Sequence, residues 1–189
     1  MRARADAAEQ TAERVMDAAI ALWRAGPFED ITLQEIADRA GTSLSTVMRR
    51  FGSKDGLAEA VLRSDRVGTQ AGRDAVADGD LPGAVRMIVA DYELNGDAVI
   101  RMLALEERVP AVAGLLQAGR AGHRAWVQEA FADRLPAAGP ERDQAVALHV
   151  AATDPYVWKL LRRDMAMSRE DTIEAMRRLV DGLKPPTEK

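Results

Sequence analysis

The chain lacks several residue types and patterns, and each absence excludes a class of protein. It has no cysteine among its 189 residues, which excludes disulfide frameworks, thiolate metal sites and cysteine nucleophiles. No apolar run approaches the roughly 20 residues that span a bilayer, and the N-terminus lacks the apolar segment of a secretion signal. We therefore expect a cytoplasmic protein with no membrane partner.

Aromatic residues are also scarce, at 4% of the chain, while alanine and leucine are abundant. This balance favours helix over strand, and no segment alternates between polar and apolar residues as a half-buried strand would. Hydrophobic residues make up 47% of the chain, enough for a packed core. The sequence predicts an all-α protein.

The motifs of common enzymes and metal sites are missing as well. There is no GxSxG, no P-loop and no glycine-rich dinucleotide turn. His123 and His149 are the only histidines, and neither has an acidic residue or a second histidine at the spacing of a metal-binding motif. We predict neither an enzyme nor a protein with a metal site or a cofactor.

The stretch from Ile31 to Leu57 has the pattern of a helix-turn-helix. Apolar residues recur at helical spacing in two short segments, the first with Ile36, Ala37 and Ala40 and the second with Val47 and Phe51. Gly41 lies between them, where the end of a helix favours a residue that tolerates a positive φ. Thr32 and Glu35 fit a capping box at the start of the first segment.

The net charge of −4 is unusual for a protein that binds nucleic acid. However, residues 39–54 contain four basic side chains and no acidic one. Such a cluster can bind phosphates while the acidic remainder of the chain limits non-specific association. The alternative is a chance run of like charge on a solvated helix face.

In a helix-turn-helix the second helix enters the major groove, which assigns roles to its outward residues. Ser45 and Thr46 can form hydrogen bonds with bases or phosphates. Arg49 or Arg50 can form the bidentate contact with guanine, and the apolar side chains of Leu44 and Met48 can contact thymine methyl groups. Lys54 is expected to hold a phosphate together with free N–H groups at a helix N-terminus. The predicted DNA-contacting residues are Thr32, Gln34, Ser43, Leu44, Ser45, Thr46, Met48, Arg49, Arg50 and Lys54. A helical hairpin that merely packs is the alternative.

Residues from about 10 to 60 resemble the DNA-binding domain of the TetR family of bacterial transcription regulators. The resemblance runs through Phe28, Ile31, Thr32, Ile36, Ala37, Ala40, Gly41, Ser43, Thr46, Val47, Phe51, Ser53, Lys54 and Leu57. It implies an all-helical homodimer that binds a palindromic operator. It also implies a C-terminal domain that binds a small molecule, which releases the DNA. Met48 stands where the family usually has an aromatic residue, most often tyrosine, so the contact made there does not carry over.

The resemblance and the helical pattern together predict two domains. Residues 1–56 would form the three-helix DNA-binding domain, and residues 57–189 the helical ligand-binding and dimerisation bundle, joined by a linking helix over about 54–77. Further helices are predicted over 82–94, 97–108, 110–135, 140–165 (with Pro155 as a kink or break) and 168–183.

The last two helices carry apolar stripes that fit a partner helix, as in the four-helix bundle of the family's dimers, or that bury the monomer's own core. The stripe residues are Val146, Val150, Val157, Leu160 and Leu161, then Ile173, Met176, Leu179, Val180 and Leu183.

Candidate ligand-binding residues combine adaptable methionines with aromatic and polar side chains. They are Met87, Tyr92, Met102, Leu105, His123, Trp126, His149, Thr153 and Trp158, although plain core or interface is the more common role for each of them singly. The sequence thus predicts a ligand-responsive transcriptional repressor with a small-molecule effector. A helical small-molecule carrier or enzyme, with a hairpin that serves protein contacts, is the alternative.

Overall fold

The structure is a computed structural model that describes residues 2–63 and 80–183, and within those ranges all regular structure is helical. The α-helices are α1 (Arg2–Ala25), α2 (Leu33–Arg39), α3 (Leu44–Phe51), α4 (Lys54–Arg63), α5 (Leu81–Leu103), α6 (Pro110–Ala130), α7 (Pro140–Ala152), α8 (Pro155–Lys159) and α9 (Arg169–Asp181). A 3₁₀ turn (Ala132–Arg134) and a π-helix (Leu160–Asp164) complete them. The predicted all-α fold is confirmed. None of the described helices is both long and apolar enough to cross a membrane.

Most predicted helices are present, but the predicted break at Asn95 and Gly96 is wrong, since α5 runs through both residues. Asn95 Nδ2 donates a hydrogen bond to Asp91 Oδ1 one turn earlier at 2.6 Å, so the side chain is satisfied along the helix. Gly96 lies against Trp158, where a Cβ atom would overlap the indole ring. The glycine therefore serves close packing and does not end the helix.

Pro155 does interrupt the helical pattern, as predicted. Helix α7 ends at Ala152, and Asp154 caps the next helix by accepting a hydrogen bond from Tyr156 N at 2.9 Å, with Pro155 as the first helical residue. The predicted linking helix over about 54–77 corresponds to α4 up to Arg63. Its remainder, 64–77, lies outside the described residues.

The described residues form two compact units, one of residues 2–63 and 101–118 and the other of residues 80–100 and 119–183. The first extends beyond the predicted domain 1–56, because Leu105, Val112 and Leu115 are buried in the same core as the helix-turn-helix. As a functional boundary, residue 56 stays a prediction.

The second unit has its own apolar core, in which Trp158 is fully buried. The carboxylate of Glu93 lies at the edge of this core. It accepts hydrogen bonds from Trp158 Nε1 at 3.0 Å and from Arg162 Nε and Nη2 at 2.7 and 3.0 Å. These bonds tie α5 to α8 and to the π-helix, and the hydrogen bonds from Arg162 are the main reason that the pKa of Glu93 lies below its ordinary value.

Replacement of Glu93 by glutamine should lower the free energy of unfolding by about 1–2 kcal/mol near neutral pH, because charge-assisted hydrogen bonds are lost. With a pKa lowered on folding, Glu93 contributes stability fully above its unfolded pKa of about 4.5, and loses it as pH falls through the folded value. The difference between wild type and Glu93→Gln should therefore shrink in acid. Urea denaturation at constant protomer concentration measures it.

The exposed Glu129 on α6 provides the control, and Glu129→Gln should leave the unfolding free energy nearly unchanged. A wild-type advantage over Glu93→Gln that persisted undiminished below about pH 3 would contradict the assigned ion pair.

Candidate nucleic-acid interface

Helix α2 begins with the predicted capping box. Thr32 Oγ1 accepts a hydrogen bond from Glu35 N at 3.2 Å, and Thr32 N donates to Glu35 Oε2 at 2.7 Å. The hydrogen bond from the Thr32 backbone is the largest cause that lowers the pKa of Glu35. The backbone N–H groups of Thr32 and Glu35 are thus both satisfied by local side chains, which fixes where α2 starts.

The turn between α2 and α3 has the predicted geometry. Gly41 has a φ of +64°, and Thr42 N donates to Ala37 O at 3.0 Å, so that a carbonyl at the end of α2 is satisfied. Ser43 then caps α3 by accepting a hydrogen bond from Thr46 N at 3.2 Å. These contacts define a tight connection between two short helices.

Helix α3 is buried along one side and open on the other. Val47 is fully buried, and Phe51 is half-buried against the core of the first unit, as predicted. Of the ten predicted DNA-contacting residues, eight are exposed, and Thr46 and Lys54 are half-buried. The exposed ones on α3 are Leu44, Ser45, Met48, Arg49 and Arg50.

The two arginines of α3 differ in their surroundings. Arg50 Nη2 lies 2.6 Å from Glu9 Oε2 of α1, and both side chains are more than half exposed, at 51% and 60%. An exposed pair of this kind contributes only about 0–1 kcal/mol, so Arg50 can exchange Glu9 for another anion at little cost. Arg49 is exposed and pairs with no carboxylate of the described residues.

Lys54, the first residue of α4, does not project freely. Its Nζ atom donates hydrogen bonds to Phe28 O, Glu29 O and Ile31 O at 2.8, 3.1 and 2.9 Å, and lies 4.6 Å from the centre of the Phe28 ring. Burial lowers the pKa of Lys54, an effect that nearby carboxylates, Asp55 first among them, partly offset. The ammonium is used inside the protein.

Two side chains at the start of α2 are likewise engaged locally. Thr32 is part of the capping box, and Gln34 Nε2 donates to Asp38 Oδ1 at 2.7 Å. Both are exposed, so a phosphate could compete for the Gln34 amide, whereas the Thr32 contact maintains the helix start.

Arg14 is not among the predicted site residues, yet it helps to hold the helix-turn-helix. Its Nε donates to Ala40 O at the end of α2 at 3.3 Å, across 26 residues of sequence. A cation at a helix C-terminus offsets the partial negative charge there. No local sequence signal marks this contact, because it depends on how α1 packs against α2.

The candidate ligand residues fall into different units. Met102 and Leu105 pack in the core of the first unit with the helix-turn-helix, so the structure does not group them with the others. The remaining candidates lie in the second unit, where Tyr92 Oη donates to Thr153 O at 2.8 Å and Thr153 Oγ1 lies 3.0 Å from His123 Nε2. Among the described residues, no group of three or more acidic or histidine side chains could hold a metal ion.

Comparison with known protein families finds a match for the N-terminal part of the chain. Residues 15–61 match the family model for bacterial regulatory proteins of the TetR family. A comparison with curated proteins finds no match.

Solved structures resemble the chain over nearly its whole length. A transcriptional regulator from Rhodococcus has 18% sequence identity and a TM-score of 0.70, with 91% of this chain and 95% of that chain covered. A protein from Pseudomonas aeruginosa assigned as a transcriptional regulator has 19% identity and a TM-score of 0.64, with coverage of 93% and 90%. A protein from Mesorhizobium loti assigned to the TetR family has 15% identity and a TM-score of 0.62, with coverage of 93% and 96%. These three structures share the fold of the chain.

A side chain at Gly41 should strain the turn of the helix-turn-helix. Gly41→Ala should lower the unfolding free energy by about 1–2 kcal/mol, because its φ is positive and an L-residue is strained there. Gly114 in α6 is the matched control, since a Cβ at either glycine would meet no atom within 4 Å. Gly114→Ala should instead stabilise the protein slightly, by about 0.5–1 kcal/mol. Equal effects of the two substitutions in thermal unfolding would show that backbone conformation at the turn is not limiting.

Proposed function

Because the chain has the N-terminal domain and the fold of TetR-family transcriptional regulators, we propose that it binds a palindromic DNA operator as a homodimer and represses transcription until a small molecule releases it. The observation that carries this proposal is the solvent-exposed face of α3. It lies in a stretch free of acidic residues, on a helix whose start and opposite face are fixed by a cap and by burial of Val47.

The chemistry of that face fits a major groove. Ser43 and Ser45 offer short hydroxyl groups at the start of the helix, where close approach to DNA is needed. Arg49 supplies an exposed guanidinium that can contact guanine or a phosphate. Met48 is 45% exposed and offers an apolar contact where an aromatic residue is more usual in the family.

Homodimer formation is supported by apolar side chains that remain exposed on the C-terminal helices of the second unit. They are Leu148 of α7, Tyr156 of α8, Leu160 of the π-helix and Leu179 of α9, each about half exposed, at 47%, 55%, 50% and 48%. Of the stripe residues, Leu160 and Leu179 are the exposed ones, and the others are buried or half-buried in the unit itself, where they serve the core of the monomer. A two-fold dimer would place two copies of α3 on successive major grooves.

Response to a small molecule is supported by polar groups inside the aromatic core of the second unit. His149 is 1% exposed, its ring lies 5.2 Å from that of Phe131, and Nδ1 is 2.8 Å from Ala145 O. Its Nε2 atom is buried with no hydrogen-bond partner among the described residues, and a ligand that donates a hydrogen bond would satisfy it. Release requires the ligand to prefer a conformer that binds DNA weakly, and DNA must weaken ligand binding equally.

Arg49→Ala should weaken binding to a duplex that carries the sequence upstream of the protein's own gene. We expect a loss of about 1–3 kcal/mol in a mobility-shift titration if Arg49 contacts a base, with helicity by circular dichroism unchanged. Arg86→Ala, an exposed arginine on α5, is the control and should bind like wild type. Equal affinity of wild type and Arg49→Ala, or a wild-type affinity that ignores salt concentration, would contradict the proposed interface.

The pair between Glu9 and Arg50 predicts a gain of affinity. Glu9→Gln should strengthen DNA binding by about two- to fivefold, because the exposed ion pair no longer competes for the guanidinium. The same substitution made in an Arg50→Ala background should give no gain, which a double-mutant cycle measures. An identical gain in both backgrounds would mean that Glu9 simply repels the DNA.

A further inference from the structure

The ammonium group of Lys54 has no donor left for a phosphate. A lysine side chain carries three N–H groups, and Nζ of Lys54 binds three backbone carbonyl oxygens, those of Phe28, Glu29 and Ile31, all within 3.1 Å. A phosphate contact would require at least one of these bonds to break. The sequence prediction that Lys54 holds a phosphate therefore conflicts with the contacts that the side chain makes.

The charges around Lys54 also disfavour a phosphate. Four carboxylates lie close enough to affect its pKa, namely those of Asp55, Asp30, Glu29 and Glu35. An approaching phosphate would meet this negative cluster at the same time as the single ammonium. Arg49, in contrast, pairs with no carboxylate of the described residues.

The three carbonyls belong to the turn that leads from α1 into α2. Phe28 anchors this turn, since its side chain is buried and its ring lies 5.3 Å from that of Trp23. Thr32, directly after the last of the carbonyls, caps α2. A cation at the first residue of a helix is disfavoured by the helix dipole, so the position of Lys54 at the start of α4 is stabilised by these contacts with the turn.

We propose that Lys54 is a positioning residue that ties the start of α4 to the turn before α2 and so fixes the helix-turn-helix between them for DNA binding. Helices α2 and α3 lie in sequence between the two ends that the ammonium joins. Release of this contact would let the α2–α3 pair shift relative to α4 without any loss of a DNA contact. We call the three hydrogen bonds from Lys54 Nζ to the turn the clamp. The clamp rests on the structure alone, and its effect on DNA binding rests on the proposed function.

Two substitutions of Lys54 separate the clamp from a phosphate contact. Lys54→Met keeps the aliphatic stem and removes the ammonium, while Lys54→Arg keeps the charge but presents a planar fork that does not converge on three carbonyls. We expect both variants to lower the melting temperature by about 4 °C. A residue that served only as a phosphate contact would show no change of melting temperature in either variant.

DNA binding by the folded protein supplies the readout that a purely stabilising residue would not move. Well below the melting temperature, both variants should bind the upstream duplex about tenfold more weakly, while the slope of log K against log salt stays at the wild-type value. Glu93→Gln, in the second unit, is the stability control, and it should lower the melting temperature but leave DNA affinity unchanged. Arg49→Ala should reduce the slope if Arg49 contacts a phosphate.

A slope that falls by about 0.9 in Lys54→Met and is restored in Lys54→Arg would overturn the proposal, since it is the signature of one lost phosphate contact. An unchanged melting temperature in Lys54→Arg would also overturn the proposal. Wild-type affinity for DNA in both variants would overturn it as well. If the wild-type protein binds no DNA, the proposed function fails. The clamp is then still judged by the melting temperature of Lys54→Arg, which supports it when lowered and refutes it when unchanged.

Discussion

The burial of Val47 in the core of the first unit is the constraint on which the site depends. Val47 and Ile36 are both fully buried, so neither short helix can rotate about its axis without exposing apolar surface, at about 25 cal/mol per Å². With seven and eight residues, these helices are far too short to be stable alone. The core therefore determines which side of α3 faces solvent, and caps at Thr32 and Ser43 determine where each helix begins.

Electrostatics then separates the basic side chains into different roles, although the sequence places them together. Lys54 is bound to backbone carbonyls, Arg50 shares an exposed pair with Glu9, and Arg49 is open to solvent. A count of basic residues would treat them as equal contributors to a patch. In the structure, fewer basic side chains are available to DNA on α3 than the four basic residues of 39–54 indicate. The net charge of the protein is −4.

Local signals explain how much could be predicted. The capping box at Thr32, the positive φ at Gly41 and the break at Pro155 each depend on a few neighbouring residues, and the structure has all three. Contacts between residues far apart in sequence, such as that of Lys54 with the turn before α2, could not be predicted from neighbouring residues. The break predicted at Asn95–Gly96 is wrong for the same reason. The ring of Trp158, more than 60 residues away, leaves no room for a side chain at position 96, and this packing is the reason for the glycine.

Methylation protection on bound operator DNA shows whether α3 contacts the major groove as part of a dimer. Dimethyl sulfate reacts at guanine N7, which lies in the major groove. We expect two clusters of protected guanines whose centres lie about 10 base pairs, one helical turn, or a multiple of it apart. Bound DNA with no protected guanine N7 in guanine-containing half-sites, or with a single protected cluster, would contradict this expectation.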